Sequence, residues 1–144
     1  MRLTQLNCKV FIFLIIFPTF AFTSEFKVTE IADNFFVHFG IQEDSNKFNK
    51  GDICNIGFIV GKKSVMVIDT GGTPKIAEKL IEQIRLKTKL PISHVVITHG
   101  HPDHFLGSSA FVKFNPIFIG HENLERSLNM NFNFYKLSQA TSLE

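Results

Sequence analysis

Three rhythms of apolar and polar positions run along the chain. Residues 10–17 form an unbroken apolar run, closed by Pro18 and resumed through Phe20, Ala21 and Phe22. Residues 26–32 (FKVTEIA) and 35–41 (FFVHFGI) are short β-like runs split by the turn pair Asp33-Asn34. Residues 42–50 are polar and read as a loop. Residues 53–60 (ICNIGFIV) and 64–70 (SVMVIDT) predict two further strands joined by a hairpin turn at Gly61-Lys62-Lys63. Both runs are nearly continuous in apolar residues, the pattern of strands covered on both faces. From Pro74 to Lys89 the period changes: Ile76, Ala77, Leu80, Ile81 and Ile84 recur as one face of an α-helix, with Lys75, Glu78, Lys79, Glu82 and Arg85 largely on the other. Thr73 is suited to the N-cap and Pro74 to the first helical position, and Pro91 closes the segment. Residues 92–98 (ISHVVIT) are again a strand, so a strand–helix–strand crossover with parallel strands is expected. A short helix over 105–112, a short strand over 116–119 and a helix over 122–129 follow, and residues 131–144 read as an irregular polar tail. Strands followed by alternating helix and strand predict an α/β fold, an α+β sandwich.

The first 24 residues have the layout of a signal peptide: Arg2 and Lys9 ahead of the apolar run, then small residues at signal-peptidase spacing, either Ala21 with Thr23 or Thr19 with Ala21. The run is short of the ~20 residues that a bilayer span needs, and Pro18 interrupts it, so an uncleaved anchor is the lesser alternative. The domain plan is therefore a leader at 1–24, a folded domain at 25–130 and the tail at 131–144. Cleavage would leave a periplasmic or secreted protein with no stable membrane insertion. It would also remove two of the 15 Lys and Arg and no acid, leaving 13 bases against 13 Asp and Glu. That balance removes the argument for nucleic acid that a pI near 8.6 would raise. Of two cysteines only Cys54 would remain, so no intrachain disulfide is available, and Cys54 reads as a small buried apolar residue.

Chemistry concentrates directly after the 92–98 strand, in His99-Gly100-His101-Pro102-Asp103-His104. His99 and His101 stand two apart in extended backbone, so both rings project to one side and can grip one metal ion. Asp103 and His104 follow where the chain turns toward a helix, so they diverge from the first pair and can hold a second ion. Imidazole with carboxylate suits Zn²⁺ best, with Fe or Mn as the other choices. The bland alternative is a solvated loop with incidental histidines. Of the others, His38 reads as structural or surface, His94 as solvent-facing, and His121, at a strand end, as the weaker functional candidate.

The H-x-H-x-D-H string resembles the signature of the metallo-β-lactamase fold hydrolases. The order of Asn55-Ile56-Gly57-Phe58-Ile59-Val60-Gly61, Val67-Ile68-Asp69-Thr70-Gly71-Gly72, the helix, and Val95-Val96-Ile97-Thr98-His99 resembles the family's opening elements. HGHPDHFLG followed by IGHENL is more narrowly similar to exported members associated with quinoprotein or sulfur-oxidation systems. The resemblance implies the N-terminal half of an αβ/βα fold and a site of two zinc ions. It implies His99 and His101 as ligands of the first ion, and Asp103 and His104 as ligands of the second. Asp103 would also orient the attacking hydroxide as the catalytic carboxylate, and Asp69 would be a buried aspartate hydrogen-bonded behind the ligands. Gly71 and Gly72 read as turn glycines.

The family's remaining ligands come from a second half, and no histidine follows His121 in this sequence. The expectation is a truncated zinc-dependent hydrolase acting on a small-molecule ester, lactone, thioester or lactam. The alternatives are a non-enzymic remnant and a half-domain completed by a partner chain. The Phe-rich strands are then the apolar face exposed to self-association.

Overall fold

Asn34 adopts a left-handed φ of 60° and turns the chain between β1 (Thr29–Ala32) and β2 (Phe35–His38). The computed structural model describes residues 26–143, so the leader expected at 1–24 lies outside the described residues. β3 (Ile56–Val60) pairs antiparallel with β2 and with β4 (Val65–Ile68), and Gly61 N donates to Ser64 O at 2.9 Å to close the hairpin between them. Thr73 caps α1 (Pro74–Lys87), its hydroxyl accepting from Ile76 N at 3.3 Å, with Pro74 in the first turn. The chain then returns as β5 (Ile92–Val96), parallel to β4. A short α2 (Pro102–Phe105) runs into a 3₁₀ helix (Leu106–Phe114), and Asn115 at φ 50° releases the chain into β6 (Ile117–Ile119), parallel to β5. One sheet results, in the order β1-β2-β3-β4-β5-β6, antiparallel at its start and parallel at its end. This is the mixed α/β half-sandwich that the element order predicts.

The core lies between this sheet and α1 with the 3₁₀ helix. Ile76, Ala77, Leu80, Ile81 and Ile84 of α1 meet Phe36, Ile56, Phe58, Val65, Val67 and Val95 of the sheet, with Phe111 fully enclosed. Strands covered on both faces are not what forms. Val37, Ile59, Met66, Ile68 and Val96, which alternate with the core residues, stay half-buried. In β4 burial alternates with a period of two, whereas in β3 Ile56, Gly57 and Phe58 are buried in succession. Of the Phe-rich strands, Phe36 and Phe58 stack in the core at 4.9 Å between ring centroids, while Phe39 and Ile41 of the 35–41 run are exposed. Further exposed apolar side chains lie on β6 (Ile117, Phe118, Ile119) and on α3 (Leu124–Leu143), at Met130, Phe132, Phe134 and Leu137.

α3 also corrects the expected irregular tail. No Gly or Pro interrupts 124–143, and Leu, Met, Lys and Gln offset the weaker helix formers Asn and Ser. Likewise the helix after the histidine cluster begins at Pro102 rather than Phe105, because proline is favoured at a first helical position. Among the described residues, no helix is long and apolar enough to cross a membrane.

Candidate metal centre

Asp69 ends β4 in the left-handed region, at φ 58°, a conformation that costs a non-glycine residue about 1 kcal/mol and that aspartate tolerates better than most. It is 3 % exposed, and the turn aims its carboxylate at the segment following β5. Oδ1 accepts from Thr98 N at 2.8 Å, which captures the end of β5. Oδ2 accepts from Thr98 Oγ1 and from His104 Nδ1, each at 2.8 Å. Two backbone staples complete the frame: Thr70 N donates to His104 O and Gly107 N donates to Gly71 O, both at 2.8 Å. Glycine is required at both ends of the second staple. Gly71 sits at φ 84°, and a methyl on Gly107 would overlap the carbonyl oxygen of Thr70.

His99 and His101 project together, with His99 Nε2 3.0 Å from His101 Nδ1 and ring centroids 4.7 Å apart. His104 was expected to diverge from this pair. Pro102 starts α2 immediately, however, and one helical turn (His104 N to His101 O, 3.0 Å) folds the chain back. The His104 ring therefore comes to 4.0 Å from that of His99. His104 Nε2 lies 3.4 Å from Asp103 Oδ2. All four candidate donors thus meet in one cluster, with His99 and His101 exposed and Asp103 and His104 half-buried.

The hydrogen-bond inventory decides where the ring protons sit. Carboxylate Asp69 can only accept, so His104 Nδ1 carries a hydrogen, and the neutral ring keeps a lone pair at Nε2. Thr98 has a single hydroxyl hydrogen, which goes to Asp69. Toward His99 Nδ1, at 2.9 Å, its oxygen can then only accept. His99 Nδ1 therefore also carries a hydrogen, and its Nε2 is also a bare lone pair. One buried carboxylate orients two imidazoles with their Nε2 lone pairs free, one directly and one through a hydroxyl, the arrangement typical behind metal-ligating histidines.

Electrostatics act in the same sense. Burial lowers the pKa of His99, and the neighbouring His104 and His101 lower it further, so its ring stays in the neutral form that ligates. Burial also acts to lower that of His104, but the Asp69 hydrogen bond and charge, with Asp103, outweigh it and raise the net value. Two carboxylates around that ring favour positive charge there, whether proton or cation. Imidazoles with a carboxylate are the donor set of a borderline divalent cation, so the residues fit a metal of the zinc type.

Two further residues belong to this neighbourhood. Thr98 directly precedes His99 on the strand end, and its role follows only from the fold. Cys54, buried as expected, is more than apolar filling: its thiol donates to Asp103 O at 2.6 Å across 49 residues of sequence. Burial, followed by the charges of Asp103, Asp69 and Asp52, pushes the Cys54 thiol pKa far up. His38 is buried and structural, stacked on Phe26 at 3.7 Å and bonded to Lys27 O and Asp52 Oδ1. His94 is half-buried beside the Ser93 hydroxyl, and His121 is exposed, its Nδ1 accepting from Asn123 N. A cavity of about 650 Å³ between the 3₁₀ helix, β6 and α3 is lined by His121, Phe105, Phe118 and Leu128, and by none of the four clustered donors.

Fold and site together define a mixed α/β half-sandwich with a histidine-aspartate cluster where β5 meets α2. Residues 49–139, well over half of the chain, match the model of the metallo-beta-lactamase superfamily, and the chain belongs to that family. Among solved structures it is similar to TMB-1, with 21 % identity and a TM-score of 0.58, covering 73 % of this chain and 47 % of that one. It is similar to the mono-zinc form of the metallo-beta-lactamase FIM-1 from Pseudomonas aeruginosa, with 19 % identity and a TM-score of 0.58, over 73 % and 46 % of the two chains. Among curated relatives, the alkyl/aryl-sulfatase BDS1 of Saccharomyces cerevisiae is 35 % identical over 63 residues, which cover 43 % of this chain and 10 % of the relative. A linear primary-alkylsulfatase of Pseudomonas sp. is 35 % identical over 54 residues, or 38 % and 10 % of the two chains. The chain thus matches about half the length of those solved structures and about a tenth of those curated relatives.

Proposed function

We propose that this protein is a metal-dependent hydrolase, with Zn²⁺ as its cation, acting on a small-molecule ester, lactone, thioester or lactam. The single observation that carries the reading is the Asp69 network, which leaves Nε2 lone pairs of His99 and His104 converging beside His101 and Asp103. His99 Nε2 and His101 Nδ1 would hold one cation once the hydrogen that His101 Nδ1 donates to His99 Nε2 moves away from between them, and Asp103 and His104 Nε2 would hold a second. A cation held there supplies Lewis acidity, making water acidic enough to attack near neutral pH and drawing charge from the scissile group. Asp69 and Thr98 keep the ring protons on the far sides of His99 and His104. Asp103, half-buried and 3.4 Å from His104 Nε2, would orient the attacking water and take up its proton. The short alkylsulfatase matches add sulfate esters to the substrates worth offering. Export directed by residues 1–24, with a periplasmic or secreted location, belongs to the same proposal; the N-terminal sequence of the protein recovered from the producing cells tests it.

A second reading is a half-site that binds metal but needs another segment or chain to turn over. It is favoured by the donor count, since His99 and His101 give two donors where a catalytic zinc takes three plus water. One experiment separates the two: zinc-loaded protein is offered a chromogenic panel of lactam, ester, lactone, thioester and alkyl sulfate. Turnover lost on His101→Ala supports the hydrolase. Stoichiometric zinc without turnover supports the half-site, and absence of zinc binding refutes both.

A further inference from the structure

Cys54 reaches the cluster from a part of the chain that the histidine motif does not include. Its Sγ, a carboxylate oxygen of Asp103 and a ring nitrogen of His104 all lie within 4.8 Å of one another. We infer that Cys54 is a third protein ligand of the cation held by Asp103 and His104, giving a thiolate–carboxylate–imidazole site; the inference rests on the metal-dependent reading proposed above.

The geometry supports this from two sides. Two oxygen or nitrogen donors about 2.0–2.1 Å from a tetrahedral zinc stand about 3.4 Å apart, and the Asp103 Oδ2–His104 Nε2 separation is 3.4 Å. A thiolate at about 2.3 Å would stand about 3.6 Å from each, so the thiol closes the set by a small side-chain movement from its observed position. The backbone that presents Cys54 is pinned. Asp52 Oδ1 accepts from buried His38 Nε2 at 2.7 Å, Asp52 O accepts from Ile41 N at 2.8 Å, and the Asn55 side chain accepts from Gly40 N at 3.3 Å.

Charge completes the case. A thiolate and a carboxylate neutralise a divalent cation, while a buried thiolate without one would face Asp103, Asp69 and Asp52 uncompensated. On ligation the thiol proton leaves to solvent and the S–H bond to Asp103 O is exchanged for the metal bond. A bland role for Cys54, donating to that carbonyl and no more, requires only a small hydrogen-bond donor, and serine would satisfy it.

That difference sets the test. The full chain is prepared with Cys8→Ser, so that Cys54 is its one thiol, and compared with the same chain carrying Cys54→Ser. Both are titrated with Co²⁺ and read by absorption. The inference predicts a near-ultraviolet sulfur-to-cobalt charge-transfer band that grows with bound cobalt in the first protein and is lost in the second. Affinity should fall by about tenfold or more. Cobalt ligand-field bands without the charge-transfer band overturn the Cys54 assignment and leave the metal reading standing; no cobalt binding at all overturns both. Zinc-edge absorption of the Cys54-containing protein needs no buried substitution. A sulfur scatterer at about 2.3 Å supports the assignment, and a shell of nitrogen and oxygen alone overturns it.

Discussion

Asp69→Asn removes one charge and almost no volume, yet it should disable two ligands at once. The buried amide has two placements. With its NH₂ toward Thr98 N it sets a side-chain donor against a fixed backbone donor. It therefore keeps its oxygen there and turns the NH₂ to where Oδ2 accepted from Thr98 Oγ1 and His104 Nδ1, each at 2.8 Å. His104 must then accept at Nδ1, which moves its proton to Nε2. Thr98 must accept from the amide and donate to His99 Nδ1, which moves that ring's proton to Nε2 as well. Both lone pairs available to a cation are then capped. Loss of a single partner behind a metal ligand typically costs 10- to 100-fold in affinity. With two rings affected through one carboxylate, zinc affinity should fall by about 100- to 1,000-fold, or about 3–4 kcal/mol. The metal-free protein should lose about 1–3 kcal/mol from the weakened buried hydrogen bonds. Titration calorimetry with zinc reads the first quantity, thermal unfolding the second, and histidine ¹⁵N NMR reads the proton positions directly. Affinity within about threefold of the parent, with both rings still protonated at Nδ1, would refute the reasoning.

Other outcomes follow from the same geometry. A cation bound only by the folded state at 100 times its dissociation constant should add about 2.7 kcal/mol, raising Tm on the order of 10 °C. His101→Ala should abolish most of that rise, and scanning calorimetry with and without zinc checks both. Phe111→Ala should cost about 3–5 kcal/mol in urea unfolding, because the ring, carried by the 3₁₀ helix, is fully buried in the core. Val112→Ala, one residue on and exposed, should stay within about 0.5 kcal/mol of the parent.

Much of this architecture could be read without coordinates, for identifiable reasons. The strand–helix–strand unit announces itself because α1 carries a clean period and explicit punctuation in Thr73, Pro74 and Pro91. The histidine cluster is equally plain because its donors are adjacent in sequence. What escaped is whatever depends on distant parts of the chain meeting. Cys54 and Asp103 are 49 residues apart and touch only because β4 lies between β3 and β5, with their ends aligned. Thr98 acquires meaning only when Asp69 is placed beside it. The convergence of His104 on His99 escaped because extended-chain spacing was carried past Pro102, where the chain is already helical. The helical course of 131–143 escaped because asparagine and serine content outweighed the absence of Gly and Pro.

The claim on which the rest stands is that His99, His101, Asp103 and His104 converge to hold a divalent cation. Crystals of the protein equilibrated with zinc, with diffraction collected on both sides of the zinc absorption edge, test it most directly. The account predicts an anomalous peak bonded to His99 Nε2 and His101 Nδ1, with Asp103 and His104 at the same peak or at a neighbouring one. Zinc found only on other side chains, with these four rotated away from one another, would contradict it.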